Sequence, residues 1–321
     1  MNGPVRVAIA VLSAVFVARA SLTSQAPAAP PQDPAMVALG AELYFDTRLS
    51  IDNTISCATC HDPEAGWANH NRVDTGVGGR TGTRNSGTIL DAAFMKYQFW
   101  DGRATTLEEQ ALGPIHNPVE MGETLEHVVR KLNAIDGYRA QFHDVFGAGV
   151  TADGIARAIA AFERTVVSGP SAYDRYVAGE TNAMSDAARR GMALFGGKAG
   201  CRACHSGPML SDQSFHNVGV GMDAPHPDPG REAVTHDPAD RGKFKTPSLR
   251  NVALTWPYLH DGSAATLAEV VELYDRGGVP NPGLDPRIRP LHLSADEQSD
   301  LVEFLKALTG TLPHVERPVL P

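Results

Sequence analysis

The chain has 321 residues, a formal net charge of −9, 42% hydrophobic and 20% charged residues, and four cysteines. That length suits two domains of ordinary size. The acidic balance argues against nucleic acid as a partner, and the ordinary apolar content favours neither disorder nor a membrane-spanning bundle.

Residues 1–20 read as an export signal. Arg6 supplies the positive start, Val7 to Val17 is a short apolar run, and Ala18-Arg19-Ala20 has the small-x-small form of a cleavage site. The run is short for a bilayer span; an uncleaved anchor is the alternative. Residues 21–34, rich in Ala, Pro and Gln, read as a flexible leader. From Pro34 the pattern turns helical, with Met36, Leu39, Leu43 and Tyr44 on one face.

Next comes Cys57-Ala58-Thr59-Cys60-His61. Two cysteines two residues apart, followed at once by a histidine, form the attachment signature of c-type haem: two thioethers fix the porphyrin, and the adjacent imidazole reaches the iron. The signature recurs at Cys201-Arg202-Ala203-Cys204-His205, so the two copies use every cysteine. Zinc on two Cys-x-x-Cys pairs is the competing reading, but zinc does not require a histidine directly after each pair.

The stretch 66–87, rich in Gly, Thr, Asn and Arg, has no period and reads as a long loop wrapping a haem. A helix seeded by Thr106 carries Leu107, Gln110 and Ala111 and is expected to stop at Pro114. Residues 116–122 read as loop. Further helices are predicted over 124–132, 155–167, 185–195 and 295–308, the last opened by the capping box Ser294/Glu297 and followed by Gly310. Ser168-Gly169-Pro170 marks a domain boundary. Residues 206–243 read as loop, and no convincing strand emerges. The predicted fold is all-α: two haem domains in tandem, 35–168 and 169–321, with long ordered loops.

The halves also resemble each other away from the cysteines. Trp100-Asp-Gly-Arg-Ala-Thr-Thr-Leu107 aligns with His260-Asp-Gly-Ser-Ala-Ala-Thr-Leu267, and Arg84-Asn85 matches Arg250-Asn251. Two copies of one domain are the simplest explanation. The alignment sets Tyr274 opposite Pro114, 160 positions earlier.

From about Leu39 to Gly310 the chain resembles the bacterial di-haem cytochrome c peroxidases and their relative MauG. The residues that carry the resemblance are the two haem signatures, Arg84-Asn85-Ser86, Phe99-Trp100-Asp101-Gly102-Arg103, Gln110, Pro114, Glu120-Met121, Leu249-Arg250-Asn251-Val252 and Tyr258-Leu259-His260-Asp261-Gly262. The resemblance implies two cytochrome c-like domains, an N-terminal haem that meets peroxide and a C-terminal haem that takes in electrons. It implies His61 and His205 as iron ligands, Gln110 and Glu120 over the peroxide haem, and Trp100 between the haems. It also implies one calcium ion held by Asn85, Thr255 and Pro257, the last two through carbonyl oxygens. Glu120 fits its role chemically, since splitting an O–O bond needs a group that takes a proton from one oxygen and returns it to the other.

Two departures stand out. The histidine that caps the first haem in ordinary members falls at Val77, and the methionine that ligates the second falls at Tyr274. Both point toward MauG, with an open first haem and a tyrosine-ligated second one; an anionic oxygen donor would lower the potential of that iron. His70, in the same loop as Val77, is an alternative cap. The expected activity is a periplasmic peroxidase drawing electrons from a small cytochrome c or a cupredoxin. The alternatives are a maturase that oxidises residues of a partner protein, as MauG does in building a tryptophan-derived quinone, and a non-catalytic electron carrier or haem sensor. After signal cleavage no membrane span is expected.

Overall fold

The computed structural model describes residues 27–321; the predicted signal and the first part of the leader, 21–26, lie outside the described residues. Among the described residues, eleven α-helices and one small ladder follow in order: α1 (Pro34–Phe45), α2 (Cys57–Cys60), α3 (Leu107–His116), α4 (Leu125–Asn133), α5 (Asp136–Phe146), α6 (Ala152–Glu163), α7 (Ala172–Val177), α8 (Asp186–Gly196), β1 (Phe215–His216), α9 (Glu232–Thr235), β2 (Phe244–Lys245), α10 (Leu267–Asp275) and α11 (Ala295–Lys306). The fold is helix-rich with very little strand.

Local chemistry sets most helix starts. Thr106, Thr124, Thr151, Ser185, Thr266 and Ser294 each accept a hydrogen bond from a first-turn N–H, which satisfies a donor the helix cannot use itself. Three differences from the sequence reading have clear causes. Helix α3 runs through Pro114 to His116, because the last turn of a helix tolerates the ring once tertiary contacts hold it. Helix α5 is absent from the predicted elements; Tyr138 and Phe142 anchor it in the core. β1 and β2 pair antiparallel over only two residues each, too short for a period to show.

Apolar contacts segregate along the chain. One cluster joins α1, α3, α4, α5 and α6 through Leu43, Ile115, Leu132, Phe142, Ile155 and Ile159. A second joins α7, α8, α10 and α11 through Ala188, Phe195, Val271, Leu301 and Phe304. Burial of one such side chain stabilises by about 1.5–3 kcal/mol.

The internal repeat is structural. Asp91 and Asn251 both adopt positive φ (60° and 59°), as do Phe99 and Leu259 (63° and 73°), and each pair is 160 positions apart. The bridges Gln98↔Ala104 and Tyr258↔Ala264 keep the same spacing. Each half also crosses two helices at a glycine. A Cβ on Gly40 would stand 1.9 Å from the carbonyl oxygen of Ala158, and one on Gly191 would stand 1.9 Å from that of Asp300. α1 therefore lies against α6, and α8 against α11, closer than any side chain permits.

Candidate active site

Both cysteine signatures open onto one continuous cavity of about 480 Å³. Cys57, Cys60, His61, Cys201, Cys204 and His205 line it together with Trp100, Gln110, Glu120, Tyr274, Asn85, Thr255 and Pro257. Every site residue expected from the sequence is therefore gathered around one space, although the two signatures are 144 positions apart.

The two attachment turns are built alike. His61 N–H donates to the Cys57 carbonyl and His205 N–H to the Cys201 carbonyl, each at 2.9 Å. The four thiols are free of disulfides. Burial pushes Cys57 up to about 12 and Cys201 to about 11, so these thiols stay protonated. Such groups serve poorly as ready-made zinc thiolates and suit addition to a vinyl group. Tyr44 Oη donates to the His61 carbonyl at 2.6 Å and so fixes the first turn from behind.

Both imidazoles are held neutral, since burial lowers the proton affinity of His61 and of His205. His205 Nδ1 lies 3.0 Å from the Leu210 carbonyl. A carbonyl only accepts, so Nδ1 carries the proton and Nε2 is the free ligand atom. His61 Nδ1 is buried without a hydrogen-bond partner. The carboxyl of Asp74 and the carbonyls of Gly87 and Trp67 are the groups that counter its burial. Four disulfide-free thiols and two neutral, enclosed imidazoles on one cavity fit two covalent haems.

Glu120 follows α3 in the turn 117–122. Its Oε1 accepts from Asn117 Nδ2 at 2.7 Å, which leaves Oε2 uncommitted. Burial raises its proton affinity above the ordinary carboxylate range, opposed by Arg103, Asn117 and His116 and reinforced by Asp74. Gln110 reaches the cavity from α3. Trp100 donates its indole N–H to the Asn85 carbonyl at 2.9 Å, and its own carbonyl accepts from Lys245 N–H at 2.8 Å. The indole is thus held by a first-half carbonyl, and the Trp100 backbone by a second-half N–H.

Tyr274 reaches the cavity from α10. Burial raises its phenol well above the ordinary range, so a phenolate there needs a cation at the oxygen. Asn85 is 7% exposed; its side-chain amide donates to the Asn71 carbonyl at 3.1 Å, leaving Oδ1 free. Among the described residues, no hydrogen bond is donated to the Thr255 or Pro257 carbonyls. Three free oxygen donors of this kind form a chemically sound set for calcium.

Two residues of the long loop lie away from the cavity. Val77 matches the capping position, but its side chain is 3% exposed and packs in the first-half core, and Gly76 rather than Val77 borders the cavity. His70 does not cap the first haem: its ring stacks on Trp256 at 4.0 Å and its Nε2 meets the Leu254 carbonyl at 3.2 Å, on the outside of the molecule.

The sequence reading also missed cavity residues. Glu163 is 3% exposed with Oε2 unpartnered, and burial pushes its carboxyl up to about 8. Its position four residues after Ile159, on the apolar face of α6, was the available signal. Asp74 lines the cavity with neither carboxyl oxygen hydrogen-bonded. Lys245 Nζ donates to the Tyr97 carbonyl at 2.8 Å, and burial lowers its ammonium to about 8. Neither Asp74 nor Lys245 stands in a periodic pattern. Cys204, Asp212 and His216 also bring three ligand atoms within 4.8 Å. The Cys204 sulfur belongs to the second haem signature, which leaves that trio one ligand short.

The sequence model described as di-haem cytochrome c peroxidase matches residues 34–182. The chain is 40% identical over 299 residues to the methylamine utilization protein MauG of Methylorubrum extorquens, covering 92% of this chain and 84% of that one. It is 39% identical over 318 residues to a cytochrome c551 peroxidase of Nitrosomonas europaea, covering 97% and 92%. The chain belongs to the di-haem cytochrome c peroxidase family. Its cofactors are therefore two haem c groups, and it is an oxidoreductase of the peroxidase type. A solved MauG-like protein associated with microbial copper homeostasis superposes with a TM-score of 0.79 at 34% identity, covering 89% of this chain and 92% of that one. Among the described residues no helix is long and apolar enough to cross a membrane.

Proposed function

We propose that this di-haem peroxidase has an open first site at His61 and a tyrosine-ligated second site at His205, and that it works in the periplasm on electrons from a small cytochrome c or a cupredoxin. One observation carries the reading: Glu120, with one oxygen fixed and one uncommitted, faces the cavity bordered by His61, while no histidine or methionine of the 70–87 loop reaches it. The haems, once attached, supply irons that exchange electrons with peroxide.

The protein supplies the proton steps and the geometry. Glu120 Oε2 takes a proton from one peroxide oxygen and returns it to the other, while Asn117 keeps the carboxyl aimed. Gln110 adds a polar amide on the same side. Trp100, locked by Asn85, is the rigid aromatic between the two halves through which electrons pass. Tyr274 would supply a phenolate oxygen to the haem iron held at His205, whose charge would stabilise the phenolate. Asn85, through its side-chain oxygen, and Thr255 and Pro257, through their carbonyls, would hold one calcium ion. The segregated apolar clusters support two tandem domains, 35–168 and 169–321, each of cytochrome c-like all-α type.

The maturase reading keeps a specific basis. Both departures, Val77 and Tyr274, lie on the MauG side, and the identity to MauG matches that to the peroxidases. A pure carrier fits less well, since a carrier has no use for an uncommitted carboxyl over an open site. The test is steady-state peroxide reduction by the holoprotein with a reduced cytochrome c or cupredoxin. Turnover without prior reduction of the enzyme supports the peroxidase reading. Its absence, with modification of a co-purified partner protein, supports the maturase.

A further inference from the structure

Among the described residues, five large hydrophobic side chains are exposed, and one of them is aromatic: Trp256, 43% exposed. Its position is unusual. Its chain neighbours Thr255 and Pro257 both line the haem cavity, so the indole stands on the outer side of a segment whose inner side borders the active site. It also stacks nearly flat on His70, with ring centroids 4.0 Å apart and planes 16° from parallel. His70 is held in turn by the carbonyl of Leu254, at 3.2 Å. The stack therefore joins the two halves, one ring from each, directly over the cavity wall.

Core packing does not account for this indole, since nearly half its surface meets water. Indole is among the side chains most readily oxidised by one electron, and the His70 ring stacked on one face holds this indole in a fixed orientation. We propose that Trp256, backed by His70, is a second, surface oxidation site, where phenolic donors too large for the cavity give up single electrons. This rests on the peroxidase reading, which supplies the oxidant.

The electron count closes. One peroxide takes two electrons and two protons to yield two waters. Trp256 passes one electron inward along the 255–257 segment and releases its indole Nε1 proton to solvent. The phenol then gives one electron and its hydroxyl proton, restoring Trp256 and leaving a phenoxyl radical. Two such cycles consume one peroxide and two phenols.

The test uses the holoprotein. Peroxide is added with a nitroso spin trap, the haem absorption is followed in the same sample, and the protein is then mapped by peptide mass. An adduct on Trp256 is expected. In parallel, kcat/KM is measured for free tyramine and for tyramine linked to dextran, which cannot enter the cavity. Trp256→Phe should lower the dextran-to-free ratio by about tenfold or more. Haem bands that respond to peroxide, with no adduct at Trp256 and an unchanged ratio, would overturn the proposal alone. Haem bands that do not respond to peroxide would overturn the peroxidase reading beneath it.

Discussion

The backbone N–H of Val77 donates to the carbonyl oxygen of Glu120 at 2.8 Å. The loop that carries a capping histidine in ordinary members is thus tied to the residue expected to cleave peroxide, with its side chain at position 77 turned into the core. Val77 and Tyr274 together predict the spectrum of the resting enzyme. The fully ferric protein should show one high-spin and one low-spin signal by electron paramagnetic resonance, and the high-spin signal should vanish on adding peroxide. Two low-spin signals, with reactivity only after one-electron reduction, would restore a histidine gate. Tyr274→Phe should alter the low-spin signal and leave the high-spin one in place.

Glu120→Gln keeps the size and the Asn117 contact but removes the proton relay. Two haems should remain bound while peroxide cleavage slows by about 10²–10⁴-fold, as read by stopped-flow absorption. An unchanged rate would take Glu120 out of the mechanism.

Calcium should hold the halves in register, because Asn85 also donates its backbone N–H to the His260 carbonyl at 2.8 Å. Exhaustive chelation should lower the melting temperature and slow electron exchange between the haems, and added calcium should reverse both. Identical melting and exchange before and after chelation would dispose of the site.

Glu163 predicts a pH dependence of stability. Its carboxyl rises from an ordinary 4.5 to about 8, chiefly by burial and slightly by Glu108, against Arg164; Tyr44 also feels its charge. The folded state therefore binds the proton more tightly than the unfolded state. Stability from this group is fully present below pH 4.5 and is lost as pH rises to about 8; each unit of separation is worth about 1.4 kcal/mol. Melting curves of the holoprotein should fall across that window, and Glu163→Gln should flatten the fall. Equal slopes for both proteins would show that Glu163 does not titrate there.

Local chemistry was legible in the sequence. A Cys-x-x-Cys-His turn needs only five consecutive residues, and a capped amphipathic helix only its own face. Thus the haem sites, most helices and the repeat around Asp101 and Asp261 could be read directly. Helix α5 and the two-residue ladder could not, because their stability comes from neighbours far along the chain. Tertiary structure alone decided which way the long loop faces, placing Val77 in the core and His70 against Trp256. It also brought Asp74 and Lys245 to the cavity. Side-chain periodicity reaches three or four residues, whereas these groups are positioned by hydrogen bonds and packing between segments tens to more than a hundred residues apart, and no local pattern encodes those contacts.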